Sequence, residues 1–264
     1  MEAVEIDGLR VAYRRHGTGP TLVLLHGAVC DSRAWRAEID AFAAEYDVVA
    51  WDAPGCGGSS DPPDDFRMPD YARCLDGLLR ALEIELPHVL GHSWGSGLAL
   101  DLYRQRPNEV RSLVLVGGYA GWAGSLDPDE VERRLAFALD AAQRPAGSFV
   151  PSSMPGLFTD LIPPARAEEL ATIMADSRPG GTRTMAIAFA ESDLRDLLPD
   201  VAVPTLVLAG DADERSPLPV ANALHAALPN STLTVLPGLG HECFLEAPER
   251  VHAAIRTFLA STRD

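Results

Sequence analysis

The sequence predicts an α/β fold: a mostly parallel, doubly wound sheet carrying one helical insertion. Three observations predict it. Short apolar runs of strand length recur and end in glycine turns, as in TLVLLHG, RSLVLVGG and PTLVLAGD. Stretches with apolar residues at helical spacing lie between them. The alternation breaks once, between about 119 and 199, where helices but no buried strand are legible. Runs that are apolar throughout belong to strands covered on both faces, the parallel α/β arrangement.

VEIDGLRVAYRR opens the chain as two short strands joined at Asp7-Gly8, a hairpin dipeptide. TLVLLHG is a buried strand. YDVVAWDAPGCGGSS is another, ending in a Pro/Gly-rich loop. Residues 70–83 place Tyr71, Cys74, Leu75, Leu78, Leu79 and Leu82 on one helical face. HVLGHS is the next buried strand, and GSGLALDLYRQRP a helix stopped by Pro107. RSLVLVGG and PTLVLAGD follow as strands. A helix near 217–228, the strand STLTVLPG and a last helix near 247–260 complete the pattern. Inside the break, residues 128–143 carry Val131, Leu135, Leu139 and Ala142 on one face, behind Asp127 as N-cap and Pro128 in the first turn. Residues 164–176 and 181–192 also read as helices, punctuated by QRPAGSFVPSSMPG and SRPGG. The expected organisation is a core of residues 1–118 and 199–264 with a cap of residues 119–198. Such an insertion sits over the strand ends, where open α/β sheets bind ligands.

A chain of 264 residues is long enough to bury a large core. Its 22 basic and 38 acidic residues give a formal net charge of −16, which argues against nucleic acid or an anionic membrane as partner. The opening MEAVEIDGLRVAYRR has no apolar core of the secretory kind, and no apolar run is long enough for a bilayer. Cys30, Cys56, Cys74 and Cys243 form no C-x-x-C pair, which suits free thiols in a reducing compartment. A cytoplasmic protein is expected.

The stretch GHSWGSG sets Ser93 between Gly91 and Gly95, after a strand and at the start of a helix. A strained strand–turn–helix elbow needs neighbours without bulk, and the helix start points free N–H groups at developing negative charge. A serine hydroxyl needs a base. Of seven histidines, His241 in LPGLGHECF is the best placed, on a glycine-rich loop after a strand. His26 and His92 adjoin glycine turns and are read as loop-holding. His16, His88, His225 and His252 are read as surface or helix positions. The base needs a carboxylate to set its tautomer. LVLAGDADERSP offers Asp211, Asp213 and Glu214; Asp213 lies deep enough in the loop to turn inward, while Asp211 suits a backbone contact. Asp52 is a structural residue or an alternative acid. Oxyanion donors are expected from the N–H groups of Trp94, after the nucleophile, and of Ala28, after His26-Gly27.

Four motifs in order, HGAVCDSRAW (26–35), DAPGCGGS (52–59), GHSWG (91–95) and GDADERSP with GLGH (210–217, 238–241), make nearly the whole chain resemble the α/β-hydrolase superfamily. In style it is similar to the compact esterase, lactonase and cofactor-free haloperoxidase-like branch with a helical cap. The resemblance implies Ser93 as nucleophile, His241 as base, Asp213 as acid, Ala28 and Trp94 as oxyanion donors, and residues of about 119–198 as the cap. Serine in place of aspartate at the nucleophile position departs from the haloalkane dehalogenase and epoxide hydrolase branches. The loop also reads His-Gly-Ala-Val, without the His-Gly-x-Pro that the resemblance implies for epoxide hydrolases. Cys30 and Cys243 are read as packing residues.

The expected reaction is two-step acyl transfer on a small to medium, largely apolar ester or lactone, with no metal or organic cofactor. Trp122, leaving a strand end in GYAGWAG, is the leading pocket residue; Phe149, Met154, Phe158, Met174, Met185 and Phe189 are further candidates. Other readings of the same residues are cleavage of a C–C bond, thioester or prolyl amide, a cofactor-free lyase or perhydrolase, and a slow-turnover small-molecule receptor.

Overall fold

The computed structural model of the chain describes residues 1–144, 151 and 154–262. Among the described residues eight strands are found: β1 Glu2–Ile6, β2 Leu9–His16, β3 Thr21–Leu25, β4 Asp47–Trp51, β5 His88–His92, β6 Ser112–Val116, β7 Thr205–Gly210 and β8 Ser231–Leu236. They form one sheet in the order β1-β2-β4-β3-β5-β6-β7-β8. β2 pairs antiparallel with both β1 and β4, and every pairing from β4 to β8 is parallel. The hairpin turn at Asp7-Gly8 has positive φ at both positions, the form whose twist matches paired strands.

The α-helices in chain order are α1 Arg36–Phe42, α2 Met68–Ala81, α3 Trp94–Gln105, α4 Pro128–Ala141, α5 Pro164–Ala175, α6 Pro179–Ala190, α7 Leu218–Ala227, α8 Cys243–Glu246 and α9 Pro248–Ala260. Strand residues alternate between two apolar layers, as the pleat requires. Val23, Leu25, Val49 and Trp51 pack with residues of α2, α3 and α7. Leu22, Leu24, Val48 and Ala50 pack on the other face with residues of α1 and α9. The central strands are therefore buried on both sides, which is why they read as unbroken apolar runs.

Two differences from the sequence reading concern local structure. A 3-10 turn at Ser32–Trp35 runs into α1, where no helix is expected from the sequence. Asp31 caps this turn by accepting from the Arg33 N–H at 2.9 Å, and Trp35 stacks on Phe244 with centroids 4.7 Å apart. Helix α4 begins as expected, with Asp127 accepting from the Glu130 N–H at 3.1 Å. Its Val131 and Leu135 are only partly buried, however, and the buried residue of the helix is Arg134.

Two histidines expected at the surface or on helices are internal. His88 lies buried in β5, with Nδ1 2.7 Å from Ser112 Oγ. His252 of α9 is buried and meets Glu38 of α1, Nε2 to Oε1 at 3.1 Å, pinning the two helices together.

Helices α4, α5 and α6 occupy the connection between β6 and β7. Its two ends are clipped to each other: the Trp122 N–H donates to the Phe189 carbonyl at 3.0 Å, and the Leu194 N–H to the Ala120 carbonyl at 2.9 Å. Gly121 sits in this clip with φ +77°, and a Cβ there would strike the Ser192 carbonyl. Gly121→Ala is therefore expected to destabilise the protein by about 2 kcal/mol or more, from left-handed strain plus a collision with backbone. Thermal or urea unfolding of the variant measures it, and an unchanged midpoint would remove the clip from the account.

Candidate active site

Strand β5 leads into the site and α3 leaves it. Ser93, between them, has φ +51° and ψ −114°, a conformation that costs a residue with a side chain on the order of 1–3 kcal/mol. The turn is held from three sides. The Ser93 N–H donates to the Val116 carbonyl at 2.9 Å. The Ser93 carbonyl accepts from Ser96 Oγ at 2.5 Å, and that hydroxyl accepts in turn from the Tyr119 N–H at 2.9 Å. A Cβ on Gly91 would run into the Gly95 carbonyl, and one on Gly95 into the Leu25 carbonyl. The two glycines flanking the serine are thus required by backbone crossing at close range.

Behind the serine stands an Asp–His pair. His241 Nδ1 lies 2.8 Å from Asp213 Oδ2, and both side chains are buried. Asp213 Oδ1 accepts from the N–H groups of Arg215 at 2.8 Å and Ser216 at 2.7 Å. The carboxylate is thus oriented on one oxygen and takes the imidazole N–H on the other. That tautomer leaves the lone pair on Nε2.

Ser93, His241, Ala28, Trp94 and Trp122 all line one pocket. Trp94 opens α3, so its N–H lies outside the ladder of the helix. Ala28 N–H has no hydrogen-bond partner among the described residues, and the next residue, Val29, has φ +58°. A β-branched residue in that region is an outlier. Backbone strain is thus stored on both sides of the pocket floor, at Ser93 and at Val29.

The remaining sequence candidates separate cleanly. Asp52 accepts from the Ser32 N–H and the Gly58 N–H, each at 2.8 Å, and ties two loops together away from the pocket. Asp211 accepts from the Gly238 N–H at 2.6 Å. His26 accepts from the Ala53 N–H at 3.0 Å through Nε2 and so donates from Nδ1 to the Gly27 carbonyl at 2.8 Å. His92 Nε2 is 3.1 Å from the His241 carbonyl, and burial together with His241 holds its pKa well below the usual histidine range. As a neutral donor it steadies the loop carrying His241. Burial pushes the Cys30 and Cys243 thiols well up, as inert packing residues require.

Among the apolar candidates, Trp122, Met154, Met185 and Phe189 line the pocket. Phe158 and Met174 pack instead in the apolar layer with α8 and α9. Phe149 lies outside the described residues. Five polar pocket residues are not anticipated from the sequence: Tyr119, Thr182, Arg134, Arg215 and Glu242. Glu242 directly follows His241, and its Oε2 is buried with no hydrogen-bond partner. Burial, then the charges of Asp213 and Glu246, push its pKa up to about 8, against a smaller pull from Arg215. Among the described residues, no group of three or more His, Cys, Asp or Glu side chains could hold a metal ion. No helix of the described residues is long and apolar enough to cross a membrane.

A parallel sheet with a serine elbow after a middle strand, and an aspartate and a histidine after two later strands, is the arrangement of the α/β-hydrolases. The chain belongs to the alpha/beta hydrolase fold family, whose model matches residues 20–248. It is similar to a thermophilic esterase from Thermogutta terrifontis whose structure holds malate. The two are 29% identical with a TM-score of 0.92, over 100% of both chains. It is also similar to a bromoperoxidase from Bacillus anthracis, at 27% identity, a TM-score of 0.80 and 96% of both chains. A third relative is an (E)-2-((N-methylformamido)methylene)succinate hydrolase of Acinetobacter baylyi, 26% identical over 99% of this chain and 98% of its own.

Glu242 makes stability depend on pH in a definite direction. A carboxyl whose pKa is raised on folding stabilises the native state fully below its unfolded value, and that contribution is lost as pH rises towards the folded value. The wild type should therefore lose stability between about pH 4.5 and 8 through this residue. Glu242→Gln carries no such charge, so its Tm relative to wild type should rise from pH 5 and level off above about pH 8. A Tm difference that stays flat over this range would show that Glu242 is ionised in the fold.

Proposed function

We propose that the protein is a serine hydrolase that cleaves carboxylic esters or lactones through an acyl-enzyme. The observation that carries this reading is the elbow serine sharing a pocket with a buried, carboxylate-oriented histidine. Ser93 Oγ attacks the substrate carbonyl while His241 Nε2 takes its proton. The oxyanion rests on the N–H groups of Ala28 and Trp94, which are fixed before substrate arrives and need no reorganisation. His241 then protonates the leaving alcohol, and water, with His241 again as base, releases the acid. Asp213 holds the imidazole tautomer and balances the imidazolium.

Residues 119–198 act as the cap, and they supply Trp122, Met185 and Phe189 to the pocket wall. Apolar walls over a polar floor suit a small to medium acyl or alkyl group. Four free, buried cysteines fit a reducing compartment, and the cytoplasm is the proposed location. Ester cleavage is preferred to the bromoperoxidase chemistry of one relative because the Thermogutta esterase matches more closely in both fold and coverage.

Initial rates on p-nitrophenyl esters of graded acyl length test this reading. The wild type should turn them over with an optimum at one length. Ser93→Ala should lose about 10⁴-fold or more in kcat with its circular dichroism unchanged, and Asp213→Asn should lose activity to a similar degree. An alanine variant that retains the wild-type rate would exclude Ser93 as the nucleophile.

A further inference from the structure

The pocket holds two arginines with different circumstances. Arg134 of α4 is fully engaged. Its Nε donates to Glu130 Oε1 at 2.5 Å, Nη1 to Tyr119 Oη at 3.0 Å and Nη2 to the Arg215 carbonyl at 2.8 Å. Arg215 is the reverse, with a fixed root and a free head. Its N–H is held on Asp213 Oδ1, and its carbonyl accepts from both Arg134 and the Tyr119 hydroxyl. Its guanidinium lines the pocket and makes no hydrogen bond or ion pair among the described residues.

The nearby carboxylates compensate it only in part: Glu130 and Asp213 pull its pKa up by less than burial and Arg134 push it down. Asp213 spends one oxygen on two backbone N–H groups and the other on His241. Glu130 is taken up by Arg133 and Arg134. Glu242, whose pKa burial pushes up, makes no hydrogen bond or ion pair with it. Burial first and the Arg134 charge second push the Arg215 pKa down, the direction for a cation without a counterion, and a guanidinium remains charged regardless. Most of the other described arginines of this acidic chain sit on carboxylates, among them Arg15 on Asp47, Arg33 on Asp31, Arg104 on Asp196 and Arg178 on Asp61. A net charge of −16 leaves no shortage of surface partners, so an unpaired guanidinium inside the pocket wants a ligand.

We propose that Arg215 forms an anion subsite that grips a free carboxylate on the substrate, making the protein a hydrolase of carboxylate-bearing esters or lactones, such as half-esters of dicarboxylic acids. Arg134 acts as a positioning residue that braces the Arg215 backbone. One planar fork presented beside apolar walls matches one carboxylate at the end of a short methylene chain, with Trp122, Met185 and Phe189 covering the chain. The inference rests on the serine-hydrolase reading for its reaction, but the subsite can be tested without turnover.

The first experiment compares kcat/KM for the monoethyl and diethyl esters of succinate, glutarate and adipate. Wild type should favour the half-ester of at least one chain length by about 10-fold or more, the scale of a charge-assisted hydrogen bond. Arg215→Met should abolish that preference, and Arg215→Lys, which keeps the charge without the fork, should restore part of it. A wild type that prefers the diester at every length, or a preference unchanged in Arg215→Met, overturns the proposal. The second experiment separates the two readings. Glutarate should raise the Tm of Ser93→Ala but not of Ser93→Ala/Arg215→Met. Absence of ester turnover with this shift intact overturns the hydrolase reading alone. No shift in Ser93→Ala, or a shift that survives loss of Arg215, overturns the anion subsite alone.

Discussion

The positive φ of Ser93 is the constraint on which the rest of the structure depends. It turns the chain at once from β5 into α3, and Ser93 and Trp94, the first residue of that helix, both line the pocket. The strain persists only because the surroundings fix it. Gly91 and Gly95 let three backbone segments cross at contact distance, and hydrogen bonds from β6 and Ser96 hold the serine backbone on both sides. Parallel pairing of β3, β5 and β6 sets the register of those segments, so the sheet acts as the jig for the elbow. The unusual φ of Val29, in the loop after β3, adds a second strained position beside the pocket.

Polar burial around this point is organised as a chain of single-purpose contacts. Asp213 is oriented by two N–H groups before it meets His241. His92, neutral through burial, holds the His241 carbonyl. Glu246 accepts from the Gly240 N–H at 3.0 Å and from the Thr159 N–H at 2.8 Å, fastening the histidine loop to the connection between β6 and β7. Buried here without a hydrogen-bond partner among the described residues are Glu242 Oε2, directly after His241, and Trp94 Nε1, directly after Ser93.

Legibility in the sequence follows the range of the interactions involved. The parallel strands, the hairpin and the Asp127 cap rest on local composition and neighbour spacing, and all are read correctly from the chain. The Ser93, Asp213 and His241 positions are legible because strand–turn punctuation marks where a side chain can project. Helix α1 was missed because SRAWRAEIDAF is short and its apolar face is partly made by Trp35, in the 3-10 turn before it. In α4 the pattern of Val131 and Leu135 hid the buried Arg134, since that burial depends on Tyr119 and Arg215, 15 and 81 residues away. Pocket membership behaves likewise. Phe158 and Met174 have the same apolar character as Met185 and Phe189, and only the tertiary path of the chain decides which of them reach the pocket.

That contrast separates reaction from selectivity in physical terms. The proposed reacting groups sit on strand ends, where a two-fold pleat and a glycine turn leave few choices, so short motifs encode them. The proposed pocket wall comes from the connection between β6 and β7, and there it depends on contacts between distant residues. The Tyr119 hydroxyl and Arg134 both converge on the carbonyl of Arg215, two residues beyond the aspartate that orients the base. One loop after β7 thus serves both parts of the site. Its Asp213 side fixes the histidine tautomer, and its Arg215 side presents charge to whatever enters. Arg134 of α4, the Arg215 backbone, Asp213 and His241 are thus joined by successive hydrogen bonds, so the pocket wall and the proposed base share one loop.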